Sequence, residues 1–114
     1  MSETPWNYPF DEDELWDLKY VLAEYIVIRL EAFCQKWKDG AMWAIPVWVA
    51  PEKDLPEEEY KTIWITMLET MIYGFNGVLD YHRKGLNDYY DELDQRKMEE
   101  GLALFGKYFE HLWD

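Results

Sequence analysis

The sequence predicts an all-α fold. It should form a small bundle of three main helices, with an aromatic N-terminal arm and a Pro/Trp-rich loop between helices 1 and 2. Three observations carry this. Apolar residues recur every three or four positions along three long stretches, the period of one helix face. Helix start and stop signals bracket those stretches. Three prolines, Pro46, Pro51 and Pro56, fall together in one segment that no continuous helix can cross. At 114 residues the chain suffices for one domain, 1–114, with one modest core.

Residues 1–10 carry Pro5, Pro9, Trp6, Tyr8 and Phe10, which reads as an extended arm packed through its aromatics. Helix 1 is expected to begin in Asp11, Glu12, Asp13 and Glu14, acids that suit the positive end of a helix dipole. Its apolar stripe is Leu15, Leu18, Leu22, Ile26, Leu30, Phe33 and Trp37, broadened by Tyr25, Val27 and Ile28. Lys36 and Lys38 followed by Asp39 and Gly40 mark its end. Residues 40–56 form the longest irregular segment and carry Trp43 and Trp48, as a lid over the core or as a functional loop.

Helix 2 opens at Pro56 with Glu57, Glu58 and Glu59 behind it. Tyr60, Ile63, Trp64, Met67, Leu68, Met71, Ile72 and Phe75 form its buried stripe, and Gly74 and Gly77 weaken its end. Residues 80–87 read as a connection, with Asn87 as an N-cap. Helix 3 is expected from about 88 to 112, with Met98, Leu102, Phe105, Phe109 and Leu112 on one stripe and Leu104, Tyr108 and Trp113 on a second contact face. Gly101 and Gly106 lie inside it. Each costs roughly 1 kcal/mol against Ala, so each is expected where a neighbouring backbone approaches closely, within the monomer or across an oligomer.

Seven Trp, nine Tyr and five Phe are more aromatic surface than a small core easily hides. They are either oversized core side chains or an interface. The net charge of −13, from 24 acids against 11 bases, repels nucleic-acid phosphate and anionic membranes. An acidic surface keeps an aromatic-rich domain in solution, and it would also suit a basic protein partner. Cys34 is the one cysteine, so neither an intrachain disulfide nor a cysteine-based metal site can form. The first residues carry acid rather than a basic segment and an apolar run, and no apolar run approaches the roughly 20 residues of a membrane span. A soluble, intracellular protein is the expectation.

Catalytic patterns are sparse. His82 and His111 are the two histidines, without metal-ligand spacing; His82 reads as a loop residue and His111 as a partner of a helix C-terminus. Acid pairs at i, i+3 occur at Asp11/Glu14, Glu14/Asp17, Asp88/Asp91 and Asp91/Asp94, as magnesium-binding all-α nucleotide hydrolases would use. Helix 2, however, offers only Glu69 in its body. Ser2 is the sole serine, and Cys34 beside Phe33 reads as a small buried hydrophobe. No phosphate-binding glycine loop is present. What remains is a set of cations near aromatics: Arg29, Arg83, Lys84 and Lys107, with Tyr108 beside Lys107 and with Trp43 and Trp48 on the long loop. Aromatic faces stack on a base, and Arg or Lys meets a phosphate. The same residues also suit snorkelling stems and surface ion pairs.

Three segments carry a resemblance: Arg29-Leu30-x-x-Phe33, Met71-Ile72-x-x-Phe75, and the terminal Gly101-Leu102-x-Leu104-Phe105-Gly106-Lys107-Tyr108-Phe109-x-x-Leu112-Trp113. In these the chain resembles a family of small, mostly uncharacterised tailed-bacteriophage proteins over roughly residues 20–114. It departs from the family's usual middle motif at Gly74 and Asn76. The resemblance implies an all-α phage protein acting in the cytoplasm of the infected bacterial host, with no established activity. Small non-enzymatic phage proteins often counter host defence. Some sequester nucleotide messengers as homo-oligomers, and others are acidic inhibitors or DNA mimics. The expectation is therefore a non-catalytic homo-oligomer, without cofactor or metal, that binds a nucleotide-type small molecule through Arg29, Trp43, Trp48, Arg83, Lys84, Lys107 and Tyr108. The alternative is an acidic inhibitor of a host protein, and a third reading is the magnesium-dependent hydrolase.

Overall fold

A computed structural model describes residues 7–84 and 92–113; for 81–84 and 92–94 it describes the backbone alone. These residues form three α-helices, α1 (Leu18–Lys38), α2 (Glu57–Lys84) and α3 (Glu92–Lys107), with short 3-10 turns at Glu12–Asp17, Val47–Val49 and Phe109–His111. No strand occurs among the described residues. The expected small three-helix, all-α architecture is therefore what the chain adopts.

The first helix starts later than the acids suggest. Asp11 caps a 3-10 turn instead, its carboxylate accepting from the Asp13 N–H at 3.0 Å. The α-helical part begins at Leu18 and ends on a glycine. Gly40 takes φ 74°, its N–H donates to the Trp37 carbonyl, and the Ala41 N–H donates to that of Lys36. This pair of bonds closes the last turn, and only glycine takes that φ without strain.

The buried face of α1 also differs from the expected stripe. Ala23, Val27, Leu30, Cys34 and Trp37 face the core, whereas Leu15, Leu18 and Leu22 are exposed and Ile26 and Phe33 half-buried. Two apolar stripes at helical spacing coexist on α1. The stripe of Ala23, Val27, Leu30, Cys34 and Trp37 is the one that faces α2.

The second helix is central: α1 and α3 both pack on it and make no backbone contact with each other. Trp64, Leu68 and Met71 have no accessible surface, and Tyr60, Phe75 and Leu79 are buried. Burying an aliphatic side chain of this kind contributes roughly 1.5–3 kcal/mol. The Thr62, Thr66 and Thr70 hydroxyls donate to the carbonyls of Glu58, Thr62 and Thr66, so this polar stripe is satisfied within its own helix. The helix continues to Lys84, through residues 80–84 expected as the start of a connection, and Leu79 just before them is buried. Asn87 and the start of helix 3 before Glu92 lie outside the described residues.

Glycine explains the α2–α3 crossing. A Cβ on Gly74 would lie 2.9 Å from the Met98 carbonyl oxygen, and one on Gly101 would overlap that of Thr70. Gly101 thus meets a neighbouring backbone as expected, and Gly74 anchors the crossing rather than weakening a helix end. Gly106 has nothing within 4 Å of its Cβ position in the single chain, so close approach within the monomer does not account for it.

The C-terminal helix stops at Lys107, short of the expected 112. Tyr108 turns its ring into the core, T-shaped against Trp64 at 5.8 Å, and Phe109 is left 61% exposed. The three-to-four periodicity carries on through Leu112, but the backbone tightens into a 3-10 turn so that Tyr108 and His111 face inward. Of the N-terminal arm only residues 7–10 are described: Tyr8 and Phe10 are exposed and their rings meet at 5.9 Å, and Trp6 lies outside the described residues. The long loop does cover the core in part, through buried Met42 and Pro46. Tyr60 fastens it, its hydroxyl accepting from the Leu55 N–H and donating to the Lys53 carbonyl.

The radius of gyration is 17.4 Å. A compact domain of this length would have about 13 Å, so the molecule is elongated and keeps much of its surface open.

Candidate functional site

Between α1 and the C-terminal segment runs a groove of about 240 Å³, lined by Tyr25, Ile26, Arg29, Leu30, Phe33, Phe105 and Leu112. Its α1 wall is the flank between the core stripe and the outer apolar stripe. Its other wall is held from below: Phe75 of α2 meets Phe105 edge-on at 4.9 Å, and Phe105 meets Phe109 at 5.5 Å. Arg29 is the charged member. Its guanidinium lies 3.4 Å from the Tyr25 ring centroid and donates one bond, of 3.0 Å, to the Tyr25 carbonyl. A guanidinium carries five donors, so the others remain uncommitted among the described residues. An aromatic, mostly apolar trough with one stacked cation accepts a planar ring and one anionic group.

A second assembly is structural. Trp48 stacks on His111 with centroids 4.7 Å apart and planes 7° from parallel, and meets Trp64 edge-on at 5.5 Å. Trp113 lies 6.2 Å from Trp48. Lys107 holds its ammonium 5.3 Å from the Tyr108 ring. The expected role of His111 at a helix end is thus replaced by stacking. The indole N–H groups of Trp37, Trp48 and Trp64 are buried without a hydrogen-bond partner among the described residues, a cost of about 1–3 kcal/mol each.

A third cluster joins Glu31, Cys34, Gln35, Lys38, Glu69 and Ile72 around a space of about 270 Å³. Lys38 and Glu69 pair at 2.9 Å, which gives Glu69 of α2 an ion-pair role. Hydrogen bonding to Glu69 raises the Lys38 pKa. Burial pushes the Cys34 thiol up, with Lys38 opposing and Glu69 adding to the rise. The thiol stays protonated at neutral pH and makes a poor nucleophile.

The seven sequence-derived site residues therefore do not converge. Trp48, Lys107 and Tyr108 share the aromatic assembly, where Tyr108 is only 8% exposed. Arg29 lines the groove. Trp43 is 90% exposed on the long loop. Arg83 and Lys84 lie in the last turn of α2, and their side chains lie outside the described residues.

Sequence reasoning missed Tyr25, Phe33, Phe105 and Leu112 as groove residues. A signal was available: Arg29, Leu30 and Phe33 belong to the first motif, Phe105 and Leu112 to the terminal one, and Phe75 to the middle one. Among the described residues no group of three or more His, Cys, Asp or Glu could hold a metal ion, and no helix is long and apolar enough to cross a membrane. The Asp88/Asp91 and Asp91/Asp94 pairs lie outside the described residues. Comparison with protein-family models, curated proteins and solved structures gave no match.

Proposed function

We propose that this chain is a non-catalytic binding protein. Its groove between α1 and the C-terminal segment takes a small planar ligand bearing an anionic group, the chemistry of a nucleotide-type signal. The observation that carries the reading is Arg29, over the Tyr25 ring, in a trough walled by Phe33 and Phe105. Stacking on aromatic faces is worth roughly 1–3 kcal/mol per base, and a charge-assisted bond to phosphate adds to it. The volume of about 240 Å³ is below the 300–1,000 Å³ usual for ligand pockets and suits one ring system. The net charge of −13 works against any anion, so affinity depends on Arg29 in particular. As the accessory protein of a tailed bacteriophage, which the terminal motif suggests, the chain would counter host defence in the host cytoplasm by sequestering such a signal.

The test is calorimetric titration with linear and cyclic mononucleotides, with product analysis on the same samples. Binding without turnover is expected. Arg29→Ala should weaken it by about tenfold or more, the loss expected for a hydrogen bond to a charged group. Ligand binding indifferent to Arg29→Ala, or lost with Lys107→Ala, would show that the site is wrongly assigned.

One observation favours a second reading, an acidic inhibitor of a host protein: among the described residues no charged side chain is buried, so the acids described there lie at the surface. A basic host protein captured from lysate and released by salt, with no nucleotide bound, would favour it. A DNA mimic would further need one continuous acidic face. The acids here are carried by the Glu12–Asp17 turn, α1, the first turn of α2 and α3.

A further inference from the structure

Among the described residues the outer stripe of α1 is exposed. Leu18, Leu22, Tyr25, Arg29, Ala32 and Lys36 follow one another at spacings of 4, 3, 4, 3 and 4, the seam of a two-helix coiled coil. All six are exposed. The core stripe occupies another side of the helix, and Glu24, Glu31, Gln35 and Lys38 occupy the third. Such a helix is apolar on two sides and polar on one, although only one apolar side is covered by α2.

We propose that a second copy of this chain covers this face, the two α1 helices packing antiparallel about a two-fold axis near Tyr25.

Area is the first argument. Leu15, Leu18, Leu22, Tyr25 and Ile28 are each between 43 and 58% exposed. With full areas of about 180–220 Å² each, they leave on the order of 500 Å² of apolar surface open on one side of the helix. A stable interface takes about 800 Å² from each partner, a little over half of it apolar. The face is the size of the apolar part that one copy of a standard dimer contributes, and a patch of this size is often functional.

Charge selects the occupant and its direction. Residues 11–19 hold Asp11, Glu12, Asp13, Glu14 and Asp17 against Lys19, and residues 29–38 hold Arg29, Lys36 and Lys38 against Glu31. The helix is acidic at its start and basic at its end. A parallel pair would set acids against acids. An antiparallel pair sets Glu14 of one copy near Lys36 of the other, twice by symmetry. The patch is thus complementary to itself, as a two-fold interface requires. Tyr25 and Arg29 belong both to this face and to the rim of the groove, so the second copy closes over part of the groove. The inference stands whether or not the groove binds a nucleotide.

The test is sedimentation velocity on the full chain at roughly 1–100 µM, a range that brackets micromolar association. The expected species at the upper end has twice the 13.9 kDa chain mass. Leu22→Glu and Tyr25→Glu should each give a monomer with unchanged helical circular dichroism, since both positions are exposed in the single chain. Lys36→Glu should weaken the dimer by about three- to tenfold for the two symmetric pairs, and adding Glu14→Lys should restore it. A wild-type chain monomeric at the upper concentration, or a dimer indifferent to Leu22→Glu, overturns the proposal. A dimer lost with Leu22→Glu but unmoved by the charge exchange overturns the antiparallel arrangement.

Discussion

Replacing Gly101 by alanine tests the α2–α3 crossing on which both the core and the groove wall depend. The added Cβ would overlap the Thr70 carbonyl oxygen and stand 3.0 Å from the Gly74 Cα and N. Carbon atoms in contact prefer roughly 3.5–4.0 Å. The obstacles are backbone atoms, so no side-chain rotation relieves them, and α3 must move off α2 by an appreciable fraction of an ångström. Overpacking of this kind costs about 1–3 kcal/mol, and a backbone obstacle places it at the upper end. Alanine returns about 1 kcal/mol of helix propensity. The expected net loss is about 2 kcal/mol, or about 8–16 °C in Tm for a domain of this size. Gly106→Ala supplies the control, because nothing lies within 4 Å of its Cβ position and alanine there should stabilise by up to about 1 kcal/mol. The assay is urea denaturation followed by Trp fluorescence and circular dichroism on both variants. If Gly101→Ala is as stable as Gly106→Ala, the reasoning about the crossing is refuted.

Tyr60→Phe should cost about 1–2 kcal/mol, because it strands the Leu55 N–H and the Lys53 carbonyl while leaving the ring in place; the same denaturation assay reads it. Stability should fall above about pH 9, for two reasons of one sign. The folded state holds the Cys34 proton beyond its ordinary value of 9.0, so the unfolded chain releases that proton first as pH rises. Lys38 is likewise raised by Glu69, so its contribution is complete below its ordinary value of 10.5 and is lost as pH rises through the folded value. Cys34→Ala should flatten the decline between pH 9 and pH 10.5 in denaturation measured across that range. The Cys34 thiol is 2% exposed and should react with an aromatic disulfide reagent only under unfolding conditions; rapid reaction in buffer would contradict its burial.

Much of the fold was legible in the sequence where a single apolar stripe met clear end signals. On α2 the stripe from Tyr60 to Phe75 is the one buried, and the stop at Asp39 and Gly40 is realised by a glycine at positive φ. Legibility failed where two stripes overlapped. On α1 periodicity alone gives no preference between Leu18-Leu22-Tyr25 and Ala23-Val27-Leu30. The choice belongs to the neighbour, and the second stripe is the one that faces α2. At the C-terminus the pattern from Met98 to Leu112 continues through a change of helix type, which inverts the roles of Tyr108 and Phe109. The candidate site was legible at Arg29 alone. Cations and aromatics were matched by nearness along the chain, so Lys107 and Tyr108 were paired with each other. The groove instead takes its walls from residues some eighty positions apart, which no local pattern joins.

The most direct measurement is a nuclear magnetic resonance titration of the full chain with a mononucleotide, following side-chain resonances. Shifts centred on Tyr25, Ile26, Phe33, Phe105 and Leu112, abolished by Arg29→Ala, are the predicted result. Shifts centred on Trp48, Lys107 and Tyr108, or none at saturating nucleotide, would contradict the assignment of the groove.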